Sequence, residues 1–304
     1  DANRVTLDGS IDNTFNESVI ERFEAMNFEV LEVKNGESIK ELNKVIEKAK
    51  KSKKPVLIGV DTVLGKYSKY EGTNKVHGPL DSDAIESIRR RLECNSPFTY
   101  DEDNMHYLRS MIKERTKENY SKWFMEYETY KETHTEEEVE ALESIIKNED
   151  IVLQLDKVVD TSKIFEDKTL RDINYQIMNV ISAFVPNFIG GSADLVSSTK
   201  TYLKKQGDFS KDNYTGKNIA FGVREHAMGG ILNGLALSNL RVFGSTFLAF
   251  SNYMLPSIRM SAMMNLPVTY IFTHDNFTIG EDGPTHQPID QLGALRNIPN
   301  LSVY

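Results

Sequence analysis

The sequence predicts an α/β protein: two parallel sheets flanked by helices, each sheet incomplete, joined by a helical linker. Three observations carry that prediction. Residues 1–95 alternate short apolar runs with amphipathic helical stretches. Residues 96–164 turn charge-rich and helical. Residues 165–304 return to the strand–helix alternation. The three spans are read as two α/β units with a linker between them.

In the first unit, residues 4–7 read as a short strand, and residues 18–26 as a helix with Val19, Ile20 and Phe23 on one face. Residues 28–33 (F-E-V-L-E-V) alternate like a strand. Residues 39–50 carry Ile39, Leu42, Val45, Ile46 and Ala49 at helical spacing, and residues 55–60 (P-V-L-I-G-V) form a buried strand candidate. Short connections between such elements imply parallel pairing. In the linker, residues 111–130 and 135–147 read as charged surface helices, with Trp123 the only tryptophan. The second unit begins near Phe165. Its helix over 170–184 repeats Leu170, Ile173, Ile177, Val180, Ile181 and Phe184. Strands are expected at 188–189, 219–221, 241–243, 268–272 and from Asn300 onward, with residues 247–263 largely helical.

At 304 residues the chain can build two ordinary cores. Its 39% hydrophobic and 27% charged residues are those of a soluble globular protein. A net charge of -9 argues against a general nucleic-acid or membrane-surface role, while leaving room for local phosphate pockets. The single cysteine, Cys94, excludes an internal disulfide and fits a reducing cytoplasm. No apolar run approaches the ~20 residues that a membrane span requires.

Chemistry concentrates in the second unit. Residues 219–230 (I-A-F-G-V-R-E-H-A-M-G-G) pass from a short apolar strand to a tightly packed helix, with Arg224, Glu225 and His226 at the junction. Open α/β sheets place ligands at such junctions. Charged residues are also common at helix starts, where Arg224 and Glu225 can simply pair. Downstream, Phe247, Phe250 and Tyr253 recur every third residue within T-F-L-A-F-S-N-Y. Residues 273–288 then read T-H-D-N-F-T-I-G-E-D-G-P-T-H-Q-P. An aromatic stripe alone reads more readily as core.

Taken together, R-E-H-A-M-G, the T-F-L-x-F-x-x-Y string and H-D-x-x-x-x-G-E-D-G-P-T-H-Q-P closely resemble the transketolase family, whose members use thiamine diphosphate. The resemblance implies two sheets of the thiamine-diphosphate-binding fold. Residues 1–95 correspond to the later half of the pyrophosphate-binding domain and 165–304 to part of the pyrimidine-binding domain. The chain is then a middle piece of a longer enzyme that opens on Asp1 and lacks any G-D-G string.

The resemblance also implies a set of site residues. Glu225 hydrogen-bonds N1' of the aminopyrimidine in a poorly solvated place, ringed by Phe247, Phe250 and Tyr253. Asp194 and Leu195, in the loop G-G-S-A-D-L, lie near the cofactor of a neighbouring subunit. His77, in V-H-G-P-L, meets the diphosphate and the substrate. His274, Asp282 and His286 meet sugar hydroxyls, and Ser198 and Lys168 hold the sugar phosphate. Asn3 and the Val5 carbonyl hold Mg²⁺ or Ca²⁺, an oxygen-donor chemistry. Catalysis would fall to Glu225, His77 and His274. The implied reaction is reversible transfer of a two-carbon ketol unit from xylulose 5-phosphate to ribose 5-phosphate in the cytoplasmic pentose phosphate pathway, by a homodimer with shared active sites. Dihydroxyacetone synthase and deoxyxylulose-phosphate synthase remain alternatives. So does a non-catalytic dimerising piece with little turnover by itself.

Overall fold

The computed structural model describes residues 1–94, 96, 98–148 and 168–304. The expected start of the second unit near Phe165 therefore lies outside the described residues. By contacts the chain divides into Asp1–Thr116 and Lys117–Tyr304. No described helix is long and apolar enough to cross a membrane.

In the first unit, β1 (Val5–Thr6) and β2 (Gly9–Ser10) form a small antiparallel pair. The strand expected at residues 4–7 thus pairs with Gly9–Ser10 in a hairpin and does not join the parallel sheet. That sheet pairs β3 (Glu29–Val33) with β4 (Val56–Val60) in parallel register. Helix α1 (Val19–Ala25) is capped by Ser18 and α2 (Ile39–Ala49) by Ser38, each serine accepting from a first-turn N–H. Helix α3 (Ser82–Arg91) starts on Asp81, which accepts from Ala84 N at 2.8 Å.

Helix α4 (Glu102–Thr133) is longer at both ends than the sequence suggests. The start is set by Asp101, whose carboxylate accepts from Asn104 N at 2.8 Å, and Met105, Leu108 and Ile112 follow at helical spacing. Helix α5 (Glu136–Lys147) opens on a capping box between Thr135 and Glu138.

The second unit holds a four-stranded parallel sheet in the order β6-β5-β7-β8: β5 (Phe188–Ser192), β6 (Asn218–Ala220), β7 (Arg241–Phe247) and β8 (Val268–Thr273). Helix α6 (Leu170–Phe184) precedes β5, and the short α7 (Val196–Thr199) follows it. Helix α8 (Glu225–Leu237) connects β6 to β7, and α9 (Leu255–Met263) connects β7 to β8. A last short helix, α10 (Gln291–Arg296), packs Leu295 into the core.

Two departures from the sequence reading are instructive. Strand β7 continues to Phe247, past Gly244 and Ser245, which look like breakers. Gly244 is needed because a Cβ there would lie 2.4 Å from Leu232 Cδ1 of α8. Asn300–Tyr304 forms no strand. Among the described residues it has no ladder partner, and Leu301 and Val303 pack against the core without one.

The sheet has distinct faces. Val242 joins Met228, Leu232, Ala236 and Ile258 in the principal core on the side of α8 and α9. On the other side Phe243 packs with Met178 of α6 and with Leu203. The alternation follows from the two-residue period of a strand.

Candidate active site

Four successive loops reach the carboxyl end of the second sheet. Asp194–Leu195 follows β5, Glu225 follows β6, Phe247–Tyr253 follows β7 and His274 follows β8. Because β5 lies between β6 and β7, the connection direction reverses there, and parallel sheets bind ligands at such a reversal. Gly190 and Gly191 make the crowded centre of this sheet feasible. A Cβ on Gly191 would fall 1.8 Å from the Ile219 carbonyl oxygen.

Glu225 is the first residue of α8 and is buried, with 9% exposure. Arg224 does not pair with it. Arg224 Nη1 donates instead to the Phe221 carbonyl at 3.2 Å. Glu225 shares a buried face with Met228, Gly229, Leu232, Asn233 and Ala236, the spacing of one side of a helix.

After β7 the chain makes a 3₁₀ turn over Leu248–Tyr253. At three residues per turn, side chains three apart eclipse one another. Phe247, Phe250 and Tyr253 therefore share one side, and Leu248, Ser251 and Met254 the other. Phe247 and Phe250 stack 5.6 Å apart at 18°, and Tyr253 tilts against Phe250 at 6.1 Å. Tyr253 is 66% exposed, so the ring surround is closed at Phe247 and open at Tyr253.

The histidine loop meets these rings. His274 stacks on Phe247 at 3.8 Å, and His286 lies edge-on to Phe250 at 5.1 Å. Each imidazole is steadied by the preceding threonine: Thr273 Oγ1 lies 3.0 Å from His274 Nδ1, and Thr285 Oγ1 lies 2.8 Å from His286 Nδ1. Burial, and next the positive charge of Arg171, hold the His274 pKa below its ordinary value; Asp282 and Asp275 oppose this. Beside the loop, Leu248, Asp275, Phe277, Pro288, Ile289 and Leu292 line a pocket of about 390 Å³.

Asp194 and His274 both sit in the left-handed region, at φ of 62° and 55°. Such conformations are costly outside glycine and gather at functional sites. The Leu195 N–H donates to Ser192 Oγ at 3.2 Å, which fixes the turn after β5.

Ser198 is met by Arg171, a cation that the sequence reading did not single out. Arg171 Nη1 donates to the Ser198 carbonyl at 2.8 Å, whereas the exposed Lys168 donates to Gln176 at 3.4 Å. The sequence carried a signal for this. Thr169 caps α6, which puts Lys168 outside the helix and Arg171 in its first turn. A cation there opposes the helix dipole and calls for an acceptor.

In the first unit, Asn3 Oδ1 accepts from Val5 N at 2.9 Å, and its Nδ2 donates to Asp1 Oδ2 at 2.8 Å. The turn gathers hard oxygen donors, though no group of three His, Cys, Asp or Glu side chains suited to a metal occurs among the described residues. His77 ends a 3₁₀ turn, Asn74–Val76, which is tied by Asn74 Nδ2 to the Leu7 carbonyl at 3.0 Å.

Residues 1–150 match the family model of the transketolase thiamine diphosphate binding domain, and residues 166–304 that of the transketolase pyrimidine binding domain. The chain belongs to the transketolase family. Transketolase of Bacillus subtilis (strain 168) is 44% identical over the whole chain, which covers 46% of that protein. The Aquifex aeolicus (strain VF5) enzyme is 40% identical, with 44% of it covered. The chain thus spans about half the length of the curated transketolases it matches. Among solved structures, Pichia stipitis transketolase in complex with sedoheptulose-7-phosphate superposes with a TM-score of 0.90 at 32% identity, over 99% of this chain and 46% of that one. Campylobacter jejuni transketolase gives 0.86 at 37% identity, over 99% and 46%.

Proposed function

We propose that this chain takes part in reversible ketol transfer, moving a two-carbon unit from xylulose 5-phosphate to ribose 5-phosphate with thiamine diphosphate as carrier, in the cytoplasmic pentose phosphate pathway. The observation that supports this most is the buried residue Glu225 at the same sheet end as the Phe247–Phe250 stack and the two histidines. When bound, thiamine diphosphate supplies the chemistry for breaking a carbon–carbon bond next to a carbonyl.

The residues of this chain divide the remaining tasks. Glu225 would hydrogen-bond the pyrimidine nitrogen and hold or release a proton there. Phe247, Phe250 and Tyr253 flank the ring, giving a flat apolar surface. His274, its pKa lowered chiefly by burial, would accept or return protons at sugar hydroxyls, with His286, Asp282 and His77 as hydroxyl contacts. Arg171, rather than Lys168, acts with Ser198 on the sugar phosphate, where a planar guanidinium suits phosphate oxygens. Asn3, the Val5 carbonyl and neighbouring Asp1 supply oxygen donors for Mg²⁺ or Ca²⁺, a partial set that fits a hard cation. Asp194 and Leu195 face the cofactor of a second subunit in a homodimer.

The test begins with binding. Thiamine diphosphate with Mg²⁺ is expected to raise the melting temperature of the chain, and Glu225→Gln to weaken that effect while leaving the free chain folded. A coupled assay of ketol transfer is then run with the chain alone and with a second polypeptide that supplies a G-D-G segment. Absence of any thiamine-diphosphate-dependent stabilisation in both settings would sink the proposal.

A further inference from the structure

Two hydroxyls deep in the second unit, Thr246 Oγ1 and Ser251 Oγ, have no hydrogen-bond partner among the described residues. Both residues are fully buried. Interiors seldom leave such groups unpaired, so each invites an explanation.

Their positions converge. On β7, Val242 packs in the core of α8, and a Cβ at Gly244 would meet Leu232 and Met228 of that helix. Strand alternation therefore turns Thr246 toward α8 as well. Thr246 lies ~7 Å beyond Gly244 along the strand. A crossover helix runs antiparallel to its strands, and ~7 Å is four to five residues of helix, roughly. Counting back from Met228 and Leu232 by that amount reaches the first turn of α8, where Glu225 is the buried ionisable group; Arg224 and His226 are exposed.

Ser251 arrives from another element. It lies on the inner side of the 3₁₀ turn, one turn before Met254, whose Cε would touch a Cβ on Gly229 at 3.3 Å. Glu225 precedes Gly229 by one turn on the same face of α8.

We propose that Thr246 and Ser251 are positioning residues for Glu225, their hydroxyls held unpaired at the first turn of α8 to orient its carboxyl when the cofactor's pyrimidine is engaged. The inference rests on the reading of Glu225 given above. A hydroxyl with no partner adds nothing to the free fold, and an apolar side chain of the same shape would fill the space equally well.

The experiment compares Thr246→Val, Ser251→Ala and Thr246→Ser in the full chain by two readouts. Denaturant unfolding of the free chain is expected to show no loss of stability for Thr246→Val or Ser251→Ala. Titration with thiamine diphosphate and Mg²⁺ is expected to show each of these two binding about fivefold to tenfold more weakly, the worth of one hydrogen bond. Thr246→Ser is expected to restore wild-type binding. A cofactor analogue with carbon in place of the pyrimidine N1' is expected to bind wild type and variants alike. Destabilised free chains would overturn the inference by showing a structural partner, as would unchanged cofactor binding. If the wild-type chain binds no thiamine diphosphate, either alone or with the polypeptide that supplies a G-D-G segment, the reading of Glu225 falls, and this inference with it.

Discussion

At the scale of single residues, His274 is the most readily tested. Burial and Arg171 depress its pKa, while Asp282 and Asp275 pull the other way. Because the folded chain binds this proton less tightly than the unfolded chain, stability is fully present above the unfolded value near 6.5. It is lost as the pH falls through the folded pKa. Arg171→Gln is expected to move the His274 titration upward toward its ordinary value, and Asp282→Asn to move it further down. Both shifts are read from the imidazole proton signals by NMR. An unchanged titration in Arg171→Gln would show that the guanidinium does not act on the ring. The same substitution is expected to weaken sugar-phosphate binding, whereas Lys168→Gln is expected to leave it nearly unchanged, as calorimetric titration would report.

At the scale of elements, the second sheet depends on close approach between strands. Gly191→Ala would drive a methyl group into the Ile219 carbonyl of β6, a backbone atom that cannot step aside. We expect a loss of about 3 kcal/mol or more, measured by urea unfolding. A milder case is Thr135→Ala in the capping box of α5, expected to cost about 1 kcal/mol. Elements were legible in the sequence where apolar spacing was regular, as in α2, α6, β3 and β8. They were obscured where another force set the boundary. Asp101 starts α4 by capping. Gly244 sits mid-strand to make room for Leu232. Asn300–Tyr304 is apolar enough for a strand, but pairing is a property of the neighbour, which no local pattern records.

At the scale of the whole molecule, the candidate residues of the second unit are scattered between positions 171 and 286, and four parallel strands ending together bring them to one end of that sheet. That gathering was visible in the sequence only as motifs. The contact of His274 with Phe247 and the reach of Arg171 to Ser198 required the fold. Ligand linkage gives a molecular-scale expectation. Thiamine diphosphate at about a hundred times its dissociation constant should stabilise the chain by about 2.7 kcal/mol, raising the calorimetric melting temperature by several degrees. A concentration-independent melting temperature would contradict it. The 3₁₀ segment Leu248–Tyr253 also governs how the length of this chain can change. With three residues to a turn, losing or gaining one would rotate everything beyond it by about 120°. The aromatic edge would swing away from the histidines and Met254 would leave the core. Natural variation at this point should therefore come as exchanges at Ala249 and Asn252, which belong to neither side, and almost never as insertions or deletions.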